Sequence, residues 1–152
     1  MAPDDKRWLT RLLTDAWGSV EIVASTTFNA LTLPGLIAEY NSNASGVVTF
    51  DVQTGACEIV SLNATSQGKG IGTALIESLK AMGKQKGWKK LWLVTSNDNI
   101  EALRFYQKRG FRIVNVYPNA IDEARKKKPS IPLVGAFGIL LKDALELEYR
   151  FG

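Results

Sequence analysis

The chain has 152 residues, 45% hydrophobic and 22% charged, an ordinary globular mix whose length suits one domain burying roughly two-thirds of its unfolded surface. The formal charge of +4 is enough to favour a polyanionic ligand and too little to mark a nucleic-acid binder; with no histidine, the serine–histidine and cysteine–histidine triads and most zinc sites are excluded. One cysteine, Cys57, rules out an internal disulfide and fits a reducing compartment.

Residues Asp4 to Ala16 carry an apolar stripe of Trp8, Leu9, Leu12, Leu13 and Ala16, which predicts a helix opened by Pro3 and two aspartates and stopped at Gly18. Ser19 to Ser25 reads as a strand, Leu33-Pro34-Gly35 as punctuation, Leu36 to Tyr40 as a strand and Asn41 to Ser45 as a turn. Gly46 to Phe50 and Ala56 to Asn63 then form a hairpin joined by Asp51 to Gly55. Ile71, Leu75, Ile76, Leu79 and Met82 recur at helical spacing up to Lys86, with Gly87 closing the helix. Leu91 to Thr95 is a short strand; Asp98 with Glu101 matches a capping box for a helix that ends at Gly110. Phe111 to Tyr117 is a strand, and Pro118 to Lys142 is less regular, with a short helix around Asp122 to Lys127. The last strand, 145–151, alternates Leu145, Leu147, Tyr149 and Phe151 against Glu146, Glu148 and Arg150. The sum is an α+β fold, a mixed sheet with helices on its faces.

The acidic start, Met1 to Asp5, is unlike a secretory signal, and no stretch approaches the about 18 apolar residues of a membrane span. The expectation is a cytoplasmic protein with no membrane partner.

The informative segment lies between the hairpin and the first long amphipathic helix: Gln67-Gly68-Lys69-Gly70-Ile71-Gly72-Thr73. Glycines at 68, 70 and 72 keep the backbone open to a phosphate, and the amides of a first helical turn can point at it. Gln67, Lys69 and Thr73 add an amide, a cation and a hydroxyl. The segment lacks the Lys-Ser/Thr pair of a P-loop, and its spacing is not that of a dinucleotide fingerprint. Its residues alone leave two readings, an anion cradle or a tight strand–helix turn.

Gln67-Gly68-Lys69-Gly70-Ile71-Gly72 resembles the Gln/Arg-x-x-Gly-x-Gly/Ala signature of the GCN5-related N-acetyltransferase (GNAT) superfamily. The run from Asn97 to Phe111, an asparagine-opened helix closing on Phe105-Tyr106 and Gly110-Phe111, resembles that family's second hallmark. The similarity covers about residues 33–117, and strand 145–151 also fits. The resemblance implies the acyl-CoA N-acyltransferase fold, a mixed and mostly antiparallel sheet with helices on both faces. It implies one domain over 1–152, with 33–117 as the cofactor-binding core and 118–152 as a C-terminal loop and last strand. It further implies that the amides from Gly68 to Thr73 (Gly68, Lys69, Gly70, Ile71, Gly72, Thr73), with Gln67 beside them, hold the pyrophosphate of acetyl-CoA. The strand at Ser61 and Leu62 pairs with the pantetheine arm, Asn99 reaches that arm, and Tyr106 protonates the departing thiolate. The N-terminal third departs from the family pattern, because a helix precedes the first strand.

Acetyl transfer also needs a base for the amine. Glu58, an acid within an apolar strand, is the candidate if it faces the cleft; the alternative is that it faces solvent or a salt partner. Tyr106 also reads as a plain core tyrosine. The carbonyl is expected to be polarised by a backbone N–H near Leu62. Cys57, without a histidine to activate it, is expected to be a buried thiol and no nucleophile. The run Arg125-Lys126-Lys127-Lys128 reads as a solvated face, and apolar Ile131 to Gly138 as a cover for the acceptor cleft or a subunit contact. The expected activity is N-acetyl transfer to a primary amine, small-molecule or peptide, in a ternary complex, with no metal and no nucleic acid; a homodimer is compatible with it. A non-catalytic acyl-CoA sensor of the same fold is the competing reading.

Overall fold

A computed structural model of the chain describes residues 3–17, 21–24, 26–65 and 70–152. Two compact units emerge, Met1–Leu91 with Arg150–Gly152, and Trp92–Tyr149.

The first unit opens with helix α1 (Pro3–Trp17), as its stripe predicts. Leu9 and Leu13 are fully buried, and Trp8 and Leu12 flank them. Strands β1 (Glu21–Val23) and β2 (Thr27–Asn29) pair antiparallel, and a 3-10 turn (Ala30–Thr32) follows. Of the strand expected over 19–25, Ala24 lies past the end of β1, and residues 19, 20 and 25 lie outside the described ones. The turn has no periodicity to betray it. It is set by Asn29, whose Oδ1 accepts from Leu31 N at 3.0 Å and whose carbonyl accepts from Thr32 Oγ1 at 2.8 Å.

Strands β3 (Gly35–Tyr40), β4 (Asn43–Gln53) and β5 (Ala56–Ala64) form an antiparallel meander. The two expected loops contract to two residues each, Asn41-Ser42 (φ 52 and 65) and Thr54-Gly55 (φ 53 and 77). Positive φ at both positions matches the strand twist, so Asn43 to Ser45 and Asp51 to Gln53 become strand residues despite their turn-like composition. Each hairpin carries a bulge. Ser45 is the extra residue between the pairs Ala38↔Gly46 and Glu39↔Ala44; Val60 is the extra one between Thr49↔Ser61 and Phe50↔Ile59.

Helix α2 (Ile71–Lys86) packs on β3, β4 and β5 and buries Ile71, Leu75, Ile76, Leu79 and Gly83. A Cβ on Gly46 would stand 2.4 Å from Ile71 Cγ2, so α2 lies on the Gly46 face of β4. Val47, the next residue, joins Leu9, Leu13, Ala30 and Val60 in the cluster with α1. Successive strand residues face opposite ways, so α1 and α2 cover opposite faces of the meander.

The second unit contains most of β6 (Lys90–Ser96), then α3 (Ile100–Lys108), β7 (Arg112–Tyr117), α4 (Ala120–Lys127) and most of β8 (Ala144–Arg150), with strand order β6-β8-β7. The class is the expected α+β one, a mixed and mostly antiparallel sheet with helices.

The N-cap of α3 is Asn99, not Asp98: Asn99 Oδ1 accepts from Ala102 N at 3.2 Å. Asp98 is instead a long-range anchor, accepting from Ser96 Oγ at 2.5 Å and from Ala136 N at 2.8 Å. Beside it Asn97 Oδ1 accepts from Lys142 N and Asp143 N, both at 3.1 Å. The basic run is likewise not all solvated. Arg125, its side chain 16% exposed, donates to the carbonyls of Ile131, Pro132 and Leu141 at 2.8–3.0 Å and pairs with Asp122. One guanidinium thus closes the segment between α4 and β8, a fork that an ammonium does not reproduce. Arg125→Lys is expected to lower stability by about 2 kcal/mol in thermal unfolding. Lys126→Ala, removing an exposed pair with Glu123, should change it by less than about 0.5 kcal/mol.

Candidate active site

Strand β5 places its polar residues by register. Glu58 lies opposite Asp51 and Ser61 opposite Thr49; Asp51, Thr49 and Val47 share the α1 face of β4. Glu58 and Ser61 therefore also face the α1 side, at 4% and 5% exposure, and Glu58 does not face solvent. Ser61 Oγ and Thr49 Oγ1 are 2.6 Å apart in a hydrogen bond. Leu62, half-buried, pairs with Val48. The chain leaves β5 at an anchored point: the carbonyl of Ser45 accepts from both Thr65 N (2.8 Å) and Thr65 Oγ1 (3.1 Å).

Ser66, Gln67, Gly68 and Lys69 lie outside the described residues, so the expected roles of Gln67, Gly68 and Lys69 do too. At the other end of that loop, Gly70 is the N-cap of α2 at φ 70, a left-handed conformation that glycine adopts without strain. Among the described residues, its chain neighbours aside, nothing lies within 4 Å of where its Cβ would be, and it supplies no side-chain cap. The amides of Ile71 and Gly72 begin the helix without an intrahelical acceptor, and the helix dipole adds positive potential there. Thr73 follows in the same turn, half-buried. This geometry fits a phosphate-bearing substrate.

Cys57 is fully buried, as expected. Burial, with the charges of Asp51 and Glu58 beside it, pushes its thiol from an ordinary 9.0 up to about 12. A raised folded-state pKa means the folded protein holds the proton longer than the unfolded one. The resulting stability is intact below pH 9 and falls as pH climbs towards 12, by up to about 1.4 kcal/mol per unit. Denaturant unfolding at pH 8 and 10.5 should show a loss in the native protein that Cys57→Ala reduces.

In the second unit, Tyr106 sits in α3 at 6% exposure, its ring edge-on to Phe105 and Phe111 with centroids 5.1 Å away in each case. Phe111 in turn meets Tyr149. Burial pushes the Tyr106 hydroxyl well above the ordinary tyrosine range, so it stays protonated. Asn99 opens the same helix, but its amide is occupied at both ends: Oδ1 caps Ala102, and Nδ2 donates to Thr95 Oγ1 at 3.0 Å. A contact from Asn99 to a substrate would require one of those bonds to be exchanged.

The first unit thus places Glu58 and Ser61 on the α1 face of β5, and Leu62 on the opposite face, where α2 packs with Gly70, Ile71, Gly72 and Thr73 at its start. The second unit carries Asn99 and Tyr106 on one helix. Sequence reasoning missed Ser45, Gly46, Thr49 and Thr65, which seat the loop and helix; their partners are distant in the chain, and only a glycine in a strand hinted at a close approach. A separate apolar groove, lined by Pro34, Phe50, Val52, Met82, Lys86 and Trp88 among others, lies against the C-terminal half of α2, away from Gly70. Among the described residues no group of three or more His, Cys, Asp or Glu side chains is arranged to hold a metal ion, and no helix is long and apolar enough to cross a membrane.

The model of the acetyltransferase (GNAT) family matches residues 6–111. The uncharacterized protein YdhI of Bacillus subtilis (strain 168) is 38% identical over 142 residues, covering 92% of this chain and 89% of its own length. A GNAT family acetyltransferase from Elizabethkingia anophelis, solved with acetyl-CoA bound, is 27% identical with a TM-score of 0.66, over 77% of this chain and 75% of that one. A Bacillus subtilis acetyltransferase solved with CoA shares the fold at a TM-score of 0.74 and 20% identity, over 100% of this chain and 95% of the other.

Proposed function

Since the chain belongs to the GNAT family of acetyltransferases, we propose that it moves an acetyl group from acetyl-CoA directly onto a primary amine within a ternary complex. The observation that carries the reading is the start of α2: a left-handed glycine with no side chain of the described residues against it, and two backbone amides at the positive end of a helix. The bound acetyl-CoA of the Elizabethkingia anophelis relative supports the same ligand class. On this reading the whole chain acts as one catalytic domain.

The pyrophosphate goes to the turn from Gln67 to Thr73 and the pantetheine arm to the backbone of Ser61 and Leu62. Glu58, directly or through a water, removes a proton from the acceptor ammonium. The neutral nitrogen attacks the thioester carbon, while a backbone N–H near Leu62 stabilises the oxygen as it gains charge. The C–S bond breaks and the electron pair stays on sulfur. Tyr106 serves that sulfur as a hydrogen-bond donor. Burial keeps that hydroxyl protonated, so it is the group that hands the thiolate its proton and recovers one from solvent.

The test follows free thiol released from acetyl-CoA with a panel of amino acids, polyamines, aminoglycosides and peptides against a control without acceptor. Release that depends on one acceptor class is the expected result and names the substrate. Binding of acetyl-CoA with no release for any acceptor would overturn catalysis and leave a sensor.

A further inference from the structure

We propose that Thr49 is a positioning residue for acetyl-CoA: its hydroxyl bond to Ser61 selects where β5 bulges and so which backbone groups the strand presents to the cofactor arm. The inference rests on the reading of β5 as the strand that carries that arm.

Thr49 is fully buried and stands in β4 between Val48 and Phe50, where valine would fill the same volume without a polar atom. Its hydroxyl is 2.6 Å from that of Ser61, the residue directly across the ladder and the first one past the bulge. Val60, the bulged residue, packs with Leu9, Leu13 and Val47 on the α1 face, and Ser61 faces the same way. Two consecutive residues on one face are the mark of the bulge, and beyond it the alternation is inverted: Leu62 pairs with Val48 and Asn63 with Val47. If the bulge moved one residue towards the C-terminus, Val60 would take the place opposite Thr49, Ser61 would become the unpaired extra residue with its backbone re-aimed, and the hydroxyl pair would separate. Apolar contacts alone discriminate weakly between such registers, because Ile59, Val60 and Leu62 are all apolar. The Thr49–Ser61 bond is the polar term that distinguishes them.

The experiment measures acetyl-CoA affinity by calorimetry for the full chain and for Thr49→Val, Thr49→Ser, Ser61→Ala and the Thr49→Val/Ser61→Ala double variant, with circular dichroism and thermal unfolding on each. Thr49→Val should raise the Kd for acetyl-CoA about tenfold, Thr49→Ser should stay within about twofold of the unmodified protein, and the acceptor KM should hold steady. The double variant should recover thermal stability, because no hydroxyl is left buried without its partner, yet bind as weakly as Thr49→Val. Unchanged affinity in Thr49→Val, or recovery of both stability and affinity in the double variant, overturns the proposal alone. Failure of the unmodified protein to bind acetyl-CoA overturns the functional reading and this proposal with it.

Discussion

Tyr106→Phe is expected to lower kcat for acetyl transfer roughly 100-fold while leaving the acetyl-CoA Kd within about twofold. The substitution deletes one oxygen and keeps the ring that Phe105 and Phe111 hold edge-on, so stability should move little. What it removes is the protonated hydroxyl that burial maintains at every working pH. The loss should therefore be a constant factor across the pH range, with no new limb in the profile. Steady-state kinetics from pH 6 to 9.5 with a thermal melt would check this. An unchanged kcat would return Tyr106 to the aromatic core and leave the departing sulfur to solvent.

The second large effect is expected at Gly46. A Cβ there meets Ile71 Cγ2 at 2.4 Å, Asn63 O at 3.1 Å and Leu75 Cδ1 at 3.3 Å, so Gly46→Ala must lift the first turn of α2 from the sheet. Overpacking of this kind costs about 1–3 kcal/mol, and the displaced turn is the one assigned to the pyrophosphate. We expect lower thermal stability together with an acetyl-CoA Kd at least about tenfold higher. Gly83→Ala separates the two consequences. Its Cβ would collide with Phe151 Cζ at 2.4 Å and Trp88 Cε3 at 2.8 Å near the far end of the same helix. It should cost comparable stability and leave the Kd unchanged. Equal Kd values for the two variants would detach the start of α2 from cofactor binding.

Tertiary partners also account for the corrected assignments. Asp98 looks like a helix cap in one dimension, since a glutamate follows three residues later. Its carboxylate instead reaches Ala136, and a Cβ on Gly135 would lie 2.1 Å from its Oδ2, so that glycine is required by a neighbour 37 positions earlier in the chain. Arg125 sits in a run of four basic residues that reads as a solvated face, yet three carbonyls converge on it. Composition reports an average environment; a carbonyl arriving from elsewhere in the chain leaves no trace in it.

Local physics was enough for the sequence to determine α1, α2, α3 and the existence of β8, because the 3.6- and 2-residue periods of apolar side chains are written into neighbouring positions. It also marked the glycine at 70 and the burial of Cys57, and its two motifs pointed to the family. Only the tertiary structure decided which face Glu58 occupies, where β4 and β5 bulge, and that Thr49, Ser45 and Gly46 seat the strand and helix of the candidate site. Register is the physical reason. A bulge inserts one residue and inverts every side chain beyond it, and its position is set by contacts between strands rather than by any pattern within one.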